Sequence, residues 1–152
     1  MRYNFKLKII EYIIIMTIIY ADIVGDLFHW GHIKMFEQAK KHGDYLIIGV
    51  CSDKVVESYK RRPIMSTNER VVVIANCKYV DKVVIDPPCP ITKEFIEEHS
   101  IDFVVHGDDM NDEELDKWYG EAIKLGKFIK TKYTPTVSTS DIIRRVLSRY
   151  SS

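Results

Sequence analysis

Two histidines separated by two residues stand in a short loop that runs into a segment of helical periodicity. The loop reads His29-Trp30-Gly31-His32 and follows the apolar stretch 17–24. Side chains three residues apart face the same side of a helix start, where free backbone N–H groups create a positive potential. Gly31 lets a bulky group approach the backbone closely. We therefore predict a site for a polyphosphate whose charge increases in a transition state.

Other interpretations of the histidines remain open at this point. A single histidine is usually a partly buried residue without a ligand role, although a His-x-Gly-His pattern after a strand is less ordinary. Zinc binding is disfavoured, because no third Cys, His or carboxylate stands at a recognisable metal spacing. The sequence therefore favours an anion site over a metal site.

Two further segments carry groups that could bind phosphate. Lys60 lies in the charged run 57–62, which by composition alone indicates a solvated basic loop. The residues Ser138-Thr139-Ser140 open the last helical pattern, so their hydroxyl and N–H groups can cap that helix, bind phosphate, or do both.

Short β-branched runs alternate along the chain with helical patterns. The runs are apolar on both faces, as buried parallel strands are. This alternation predicts a doubly wound α/β fold with a parallel sheet of about five strands, in which ligands bind at the carboxyl ends of the strands. The predicted strands are 17–24, 45–51, 82–85, 103–106 and 127–131, and the predicted helices are 32–42, 67–76, 93–99, 112–125 and 139–148.

Capping-box spacing predicts where two of these helices begin. Ser66 stands three residues before Glu69, and Ser138 stands three residues before Asp141. In such a pair each side chain bonds to the backbone N–H of the other residue. We therefore expect helices to start directly after Ser66 and Ser138.

Length and charge exclude several classes of protein. The 152 residues fit one domain. Lys and Arg total 22 and Asp and Glu total 22, so no basic field exists to bind nucleic acid. The three cysteines, Cys51, Cys77 and Cys89, lack the spacing of a zinc site or a disulfide framework. We expect reduced cysteines and a cytoplasmic protein without a nucleic-acid partner.

The apolar run 9–24 could be mistaken for a membrane helix. Glu11 interrupts it, and its length is below the roughly 20 residues that a span needs. No cleavage pattern of a signal peptide follows it. We predict that residues 1–15 are a tail of uncertain role, that the domain occupies 16–150, and that the chain does not insert stably into a membrane.

The chain resembles the cytidylyltransferases that act on phosphocholine, phosphoethanolamine and glycerol 3-phosphate. The resemblance extends from Met16 to Leu147 and is centred on the loop that ends at His32. It implies a Rossmann-like nucleotidyltransferase fold and an enzyme that joins CTP to a phosphorylated alcohol with release of pyrophosphate. The matching stretches are 20–32, 43–53, 68–70, 78–84, 101–109 and 137–140.

The resemblance also implies roles for individual residues. The catalytic residues would be His29, His32 and Lys60. The nucleotide would be bound by Asp26, Gly31, Arg70, Gly107, Asp108, Val137, Ser138 and Thr139. The alcohol substrate would be bound by Asp53, Cys89, His106 and Tyr119. For Asp26 an N-cap role is an open alternative. The resemblance further implies Mg²⁺ with CTP, no metal held by the protein alone, and a homodimer formed through residues 78–84.

Departures from the family pattern leave the activity and substrate open. Tyr133 stands where relatives have an arginine, so we expect weaker phosphate binding unless Lys132 substitutes. Gly25 stands two places later than the family's glycine. Phosphocholine enzymes have tryptophan and phosphoethanolamine enzymes tend to have tyrosine where this chain has Cys89. We favour phosphoethanolamine over phosphocholine; glycerol-3-phosphate cytidylyltransferase, or a nucleotide-binding protein with weakened catalysis, is the alternative.

Overall fold

The computed structural model describes residues 16–132 and 137–151. Its strands are β1 (Ile18–Ile23), β2 (Tyr45–Val50), β3 (Lys82–Ile85), β4 (Phe103–Gly107) and β5 (Phe128–Thr131). Its helices are α1 (Trp30–Lys40), α2 (Asp53–Glu57), α3 (Thr67–Ala75), α4 (Lys93–Glu98), α5 (Asp112–Lys124) and α6 (Thr139–Tyr150). All strand pairs are parallel, in the order β3-β2-β1-β4-β5. The predicted doubly wound α/β fold is thereby confirmed.

The observed helices differ most from the predicted ones at α1 and α2. The boxes that begin at Ser66 and Ser138 are both formed. Helix α1 begins two residues earlier than predicted, because the side chain of His29 caps it. The five-residue helix α2, capped by Ser52, was not predicted.

The strands separate two apolar clusters, one on each face of the sheet. In β1, Tyr20 packs in the cluster with Phe95 and Tyr119, whereas its neighbours Ile19 and Ala21 pack in the other cluster. This alternation follows from the period of two along a strand. Helices α4 and α5 cover the first face, and α1 and α3 cover the second. The apolar runs of the sequence are thus buried on both faces.

The strand order changes direction at β1. The chain leaves β1 through α1 to β2 on one side, and β4 pairs with β1 on the other side. Such a switch point leaves a crevice at the carboxyl ends of the two central strands. The predicted histidine loop follows β1 at this edge of the sheet.

Predictions about the amino-terminal run, Tyr133 and the dimer interface have different outcomes. Residues 1–15 and Tyr133 lie outside the described residues. Of the apolar run 9–24, residues 18–23 form the central strand β1. Across 16–132 and 137–151, none of the helices has the length and apolar character required to cross a membrane. The strand within 78–84, predicted to form a dimer interface, is β3 at one edge of the sheet, and dimerisation stays a prediction.

Candidate active site

A cleft of about 900 Å³ opens at the carboxyl ends of β1 and β4. It has two ends that differ in composition. The histidine end contains His29, His32 and the first turn of α6. The Asp22 end contains Asp22 and the side chains near it, which are Cys51, Tyr59, Cys89, His106, Trp118 and Tyr119. The predicted site residues on the cleft are Asp26, His29, Gly31, His32, Lys60, Cys89, His106, Gly107, Tyr119, Val137, Ser138 and Thr139.

The two histidines form the capping box of α1. The Nδ1 atom of His29 accepts a hydrogen bond from the backbone N–H of Gly31 at 3.0 Å. The Nδ1 atom of His32 accepts one from the backbone N–H of His29 at 3.2 Å. An imidazole nitrogen that accepts an N–H cannot carry its own hydrogen, so each neutral ring carries it on Nε2. The helix start thus fixes two Nε2–H donors on the cleft.

Burial keeps these rings neutral. It lowers the pKa of His29, and it lowers the pKa of His32 to about 4, with a smaller contribution from the neighbouring His29. The two ring centroids lie 3.9 Å apart, and Phe28 stacks on His32 at 5.4 Å. A second positive charge between such close rings is unfavourable. At neutral pH the pair therefore acts as hydrogen-bond donors without a full charge.

The first turn of α6 meets the first turn of α1 at the histidine end. Ser138 caps α6, and the Thr139 hydroxyl donates to the carbonyl oxygen of Asp26 at 2.8 Å. The same hydroxyl oxygen lies 3.5 Å from Nε2 of His29 and is oriented to accept from it. Two helix N-termini thus converge, and both carry N–H groups and a positive dipole end suited to an anion.

Asp26 anchors the loop before α1. Its carboxylate accepts backbone N–H groups of Ile64 and Met65, each at 2.9 Å, and of Leu27 at 3.1 Å. The predicted N-cap alternative for Asp26 is wrong, because His29 occupies the N-cap. Asp26 is nearly fully buried and joins the histidine loop to the segment before α3. The sequence thus located this residue but not its contacts.

Arg70 does not line the cleft. Its side chain is fully buried within the fold. Its donors reach the carbonyl oxygens of Val24, Cys51 and Met65, the Asp53 carboxylate at 2.6 Å and the Thr67 hydroxyl. Asp53, predicted to bind substrate, is likewise engaged with this guanidinium. Both residues therefore hold the loops that follow β1 and β2, and neither is among the residues that line the cleft; their contacts with ligands stay predictions.

Gly25, Lys60 and Lys132 also line the cleft. Gly25 has φ +73°, and a Cβ there would lie 2.7 Å from Cδ1 of Ile74. The shifted glycine is therefore required by this turn. Lys60 is exposed on the cleft, and Lys132 also lines it. The binding of phosphate by these two cations stays a prediction.

Asp22 is a site residue that the sequence reasoning did not assign. It lies within the apolar run 9–24 and is the second-last residue of β1. Its carboxylate accepts the Tyr119 hydroxyl at 2.6 Å. Burial raises the pKa of Asp22, and the hydrogen bond from Tyr119 and the proximity of His106 oppose that rise. Because burial disfavours the ionised carboxylate, a cation bound beside Asp22 would stabilise the ionised form and lower its pKa.

Other side chains complete the wall of the Asp22 end. The His106 ring lies 5.1 Å from the Tyr119 ring, and Tyr59 lies 5.6 Å from Trp118. Asp109 lines the cleft 3.8 Å from Nδ1 of His106. The predicted Asp108 is exposed and is not among the residues lining the cleft. The position of both carboxylates at the end of β4 was the signal in the sequence for Asp109, and the role of Asp108 in nucleotide binding stays a prediction.

No preformed metal cage accompanies these groups. Among the described residues, no three His, Cys, Asp or Glu side chains are grouped so as to hold a metal ion. The carboxylate in the histidine end, Asp26, is committed to three backbone N–H groups. Mg²⁺ commonly binds through substrate phosphates with one or two carboxylates. The binding of Mg²⁺ together with CTP stays a prediction.

The sequence pattern that defines the family described as "Cytidylyltransferase-like" matches residues 26–145. The chain belongs to this family. The match includes the histidine loop, Lys60, the end of β4 and the start of α6. The predicted family is thereby confirmed.

Named members of the cytidylyltransferase-like family share much of this chain. It is 40% identical over 145 residues to choline-phosphate cytidylyltransferase 2 of Arabidopsis thaliana, covering 87% of this chain and 45% of that protein. It is 41% identical over 135 residues to ethanolamine-phosphate cytidylyltransferase of Dictyostelium discoideum, covering 86% and 38%. The chain thus spans less than half the length of these relatives.

A solved structure shows the same arrangement of elements. The lipopolysaccharide core biosynthesis protein of Thermoplasma volcanium superposes with a TM-score of 0.65 at 26% identity, covering 79% of this chain and 99% of that one. The similarity therefore covers nearly the whole of that neighbour and supports the fold described above.

Proposed function

We propose that the chain is a cytidylyltransferase that transfers CMP from CTP to a small phosphorylated alcohol, with phosphoethanolamine preferred. The observation that carries the proposal is the pair of Nε2–H donors fixed by the α1 capping box opposite the first turn of α6. Relatives named for choline phosphate and ethanolamine phosphate support the reaction class.

In this reaction a phosphate oxygen of the alcohol attacks the α-phosphorus of CTP. The bond from that phosphorus to the bridging oxygen of the β-phosphate breaks, and pyrophosphate leaves with the electron pair. Little covalent chemistry falls to the protein, so positioning and charge stabilisation supply the rate. His29, His32 and Lys60 would donate to the oxygens on which negative charge develops, and the backbone N–H groups of the two helix N-termini would bind the remaining phosphate oxygens.

Mg²⁺ is proposed to accompany CTP, where it would neutralise phosphate charge. The protein's own contribution is to bind and orient the phosphates through the histidine end. We likewise propose a homodimer through residues 78–84, which light scattering of the purified chain tests directly.

The Asp22 end supports an ammonium group on the alcohol. A primary ammonium can donate hydrogen bonds to Asp22 and to nearby oxygen atoms. A quaternary ammonium depends on ring faces, and Cys89 supplies no ring where phosphocholine enzymes have tryptophan. This difference supports phosphoethanolamine as the substrate.

One observation favours phosphocholine as a second candidate. The rings of Tyr59 and Trp118 lie 5.6 Å apart on the wall of the cleft. Tyr119 adds a third ring beside Asp22. Such faces could hold a quaternary ammonium even without a ring at position 89.

Steady-state pyrophosphate release distinguishes these candidates. We expect turnover with CTP and not ATP, and the highest kcat/KM with phosphoethanolamine among phosphoethanolamine, phosphocholine and glycerol 3-phosphate. A preference for either of the other alcohols would overturn the substrate assignment. Thermal stabilisation by CTP without turnover on any of the three would replace the enzyme by a nucleotide-binding homologue.

A further inference from the structure

Two cysteine thiols meet in the wall of the Asp22 end. The Sγ atoms of Cys51 and Cys89 lie 3.6 Å apart, and both residues line the cleft. Cys51 directly follows β2, and Cys89 lies in the segment between β3 and α4. The two residues are 38 positions apart in sequence. Their contact is therefore a product of the fold and not of a local motif.

We propose that Cys51 and Cys89 are a redox-active thiol pair that small-molecule disulfides convert to a reversible Cys51–Cys89 disulfide, and that this bond lowers turnover at the Asp22 end. The distance to be closed is about 1.5 Å, since a disulfide has an S–S length of about 2.05 Å. The effect on turnover rests on the proposed function, whereas the disulfide itself does not.

The two sulfurs have different surroundings, which assigns them different steps. Cys89 is partly exposed on the cleft, whereas Cys51 is nearly fully buried. The hydrogen bond between the thiols lowers the pKa of Cys89 and raises that of Cys51, and burial adds to the rise at Cys51. An incoming disulfide therefore meets Cys89 first, as the more accessible and more nucleophilic thiol.

The exchange balances with glutathione disulfide as the oxidant. The Cys89 thiolate attacks one sulfur of glutathione disulfide, and one glutathione thiolate leaves. The Cys51 thiol gives its proton to that thiolate through solvent and attacks Sγ of Cys89, which releases the second glutathione. Two protein thiols are oxidised by two electrons, one disulfide is reduced to two glutathione molecules, and a thiol reductant reverses both steps.

The fold indicates which side of the pair moves. The carbonyl oxygen of Cys51 is bonded to the buried Arg70 guanidinium at 2.9 Å, which holds that residue in place. Cys89 must therefore supply most of the displacement. Two residues further on, the Ile91 backbone N–H donates to the Trp118 carbonyl oxygen at 3.0 Å. Movement at Cys89 is thus transmitted to the part of α5 that carries Trp118 and Tyr119.

The disulfide is detected without any activity assay. The full chain is equilibrated in buffers of graded ratio of reduced to oxidised glutathione, quenched by alkylation, and analysed by intact and peptide mass spectrometry. We expect an intramolecular link between the peptides that contain Cys51 and Cys89, with Cys77 alkylated. Cys77→Ser is the matched control and forms the same link. In Cys51→Ser the second step is impossible, so Cys89 retains one glutathione.

Three results would overturn the thiol pair: no Cys51–Cys89 link at any ratio, a link that includes Cys77 instead, or independent glutathione adducts on Cys51 and Cys89 in the wild-type chain. Circular dichroism of each sample shows whether the fold is retained, so that a link formed only in unfolded chains also counts against the proposal. Cys51→Ser without the retained glutathione would contradict the order of the two steps.

Turnover is then measured on the reduced and oxidised samples of the Cys77→Ser variant. We expect kcat/KM for the phosphorylated alcohol to fall on the order of 10- to 100-fold in the oxidised form, because displacements of about 1 Å at a reacting site have effects of that size. Reduction should restore it. A disulfide without this loss would overturn the effect on turnover. A reduced chain that has no CTP-dependent turnover would reject the proposed function, while the mass data still decide the thiol pair.

Discussion

At the histidine end of the cleft, backbone groups hold the functional side chains, whereas at the Asp22 end other side chains hold them. His29 and His32 are fixed by the N–H groups of the helix start itself. Asp22 is fixed by the Tyr119 hydroxyl, which comes from an element 97 residues away. The arrangement of the two histidines depends on one short segment, whereas that of Asp22 depends on how β1 and α5 pack. The histidine end therefore tolerates little variation, whereas single side chains of the Asp22 end can be exchanged.

The largest effect is expected from removing a histidine donor without removing the helix cap. In His29→Asn the side-chain oxygen can still accept the Gly31 N–H, because Asn is a favourable N-cap residue. The Nε2–H donor is lost, so we expect kcat to fall about 100- to 1000-fold. Pyrophosphate release measures this loss, and urea unfolding checks that stability is retained. His42→Ala, an exposed histidine outside the cleft, is the control. Wild-type turnover in His29→Asn would show that the donor is not needed.

The next effect concerns the contact network behind the cleft. Arg70→Lys keeps one positive charge but cannot reproduce the planar fork that reaches Asp53 and the carbonyl oxygens of Val24 and Cys51. We expect the free energy of unfolding to fall by about 3 kcal/mol, since buried groups lose their partners. Urea denaturation measures it, with the exposed Arg61→Lys as control.

If Arg70 contacted the nucleotide directly, the outcome would differ. Arg70→Lys would then raise the KM for CTP with little change in the free energy of unfolding. Stability and KM measured on the same preparation therefore separate a positioning residue from a binding residue.

The same contrast explains what the sequence could and could not predict. Strands and capping boxes depend on residues close together in the chain, so the five strands and the helix starts at Ser66 and Ser138 were predicted within a few residues. The histidine loop was recognised for the same reason. The role of His29 as the N-cap of α1 was not predicted, because Ser, Thr, Asp and Asn are the usual N-cap residues.

Long-range partners were beyond the reach of sequence patterns. Arg70 stands in a helical pattern of the sequence. No neighbouring residue in the chain indicates that its guanidinium is buried against Asp53. Asp22 was hidden inside an apolar run, and only the position of Tyr119 on α5 reveals it as a site residue. The role of Asp22 was therefore identified only from the fold, whereas the two histidines were identified from the sequence.

A smaller effect is expected from pH, and its sign follows from the neutral state of His32. Its pKa is lowered by burial to about 4 in the folded chain, against about 6.5 when unfolded. Protons therefore bind the unfolded chain first, and the stabilisation present above pH 6.5 is lost as pH falls toward 4. Between pH 7 and 5 the loss should be about 2 kcal/mol.

His32→Gln isolates this contribution from the titration of other groups. Gln can still accept the backbone N–H of His29 in a capping box, but it does not titrate. We expect the free energy of unfolding of the variant to fall by about 2 kcal/mol less than that of the wild type over the same pH range. Parallel curves for the two proteins would contradict a depressed pKa at His32.

The smallest effect is expected at the Asp22 end, where one side chain can be exchanged. Cys89→Trp adds a ring to the wall near Asp22 and Tyr119. A well-placed ring stabilises a quaternary ammonium by about 0.5–2 kcal/mol, whereas a primary ammonium gains less because it is already held by hydrogen bonds. The ratio of kcat/KM for phosphocholine to that for phosphoethanolamine should therefore rise about 2- to 30-fold, since 1.4 kcal/mol corresponds to tenfold. Val72→Trp, at an exposed position of α3 outside the cleft, is the control for a general effect of the added ring. An unchanged ratio in Cys89→Trp, with CTP-dependent turnover intact, would mean that the Tyr59–Trp118 pair already supplies the ring faces, and that side-chain exchange at position 89 does not set the choice of alcohol.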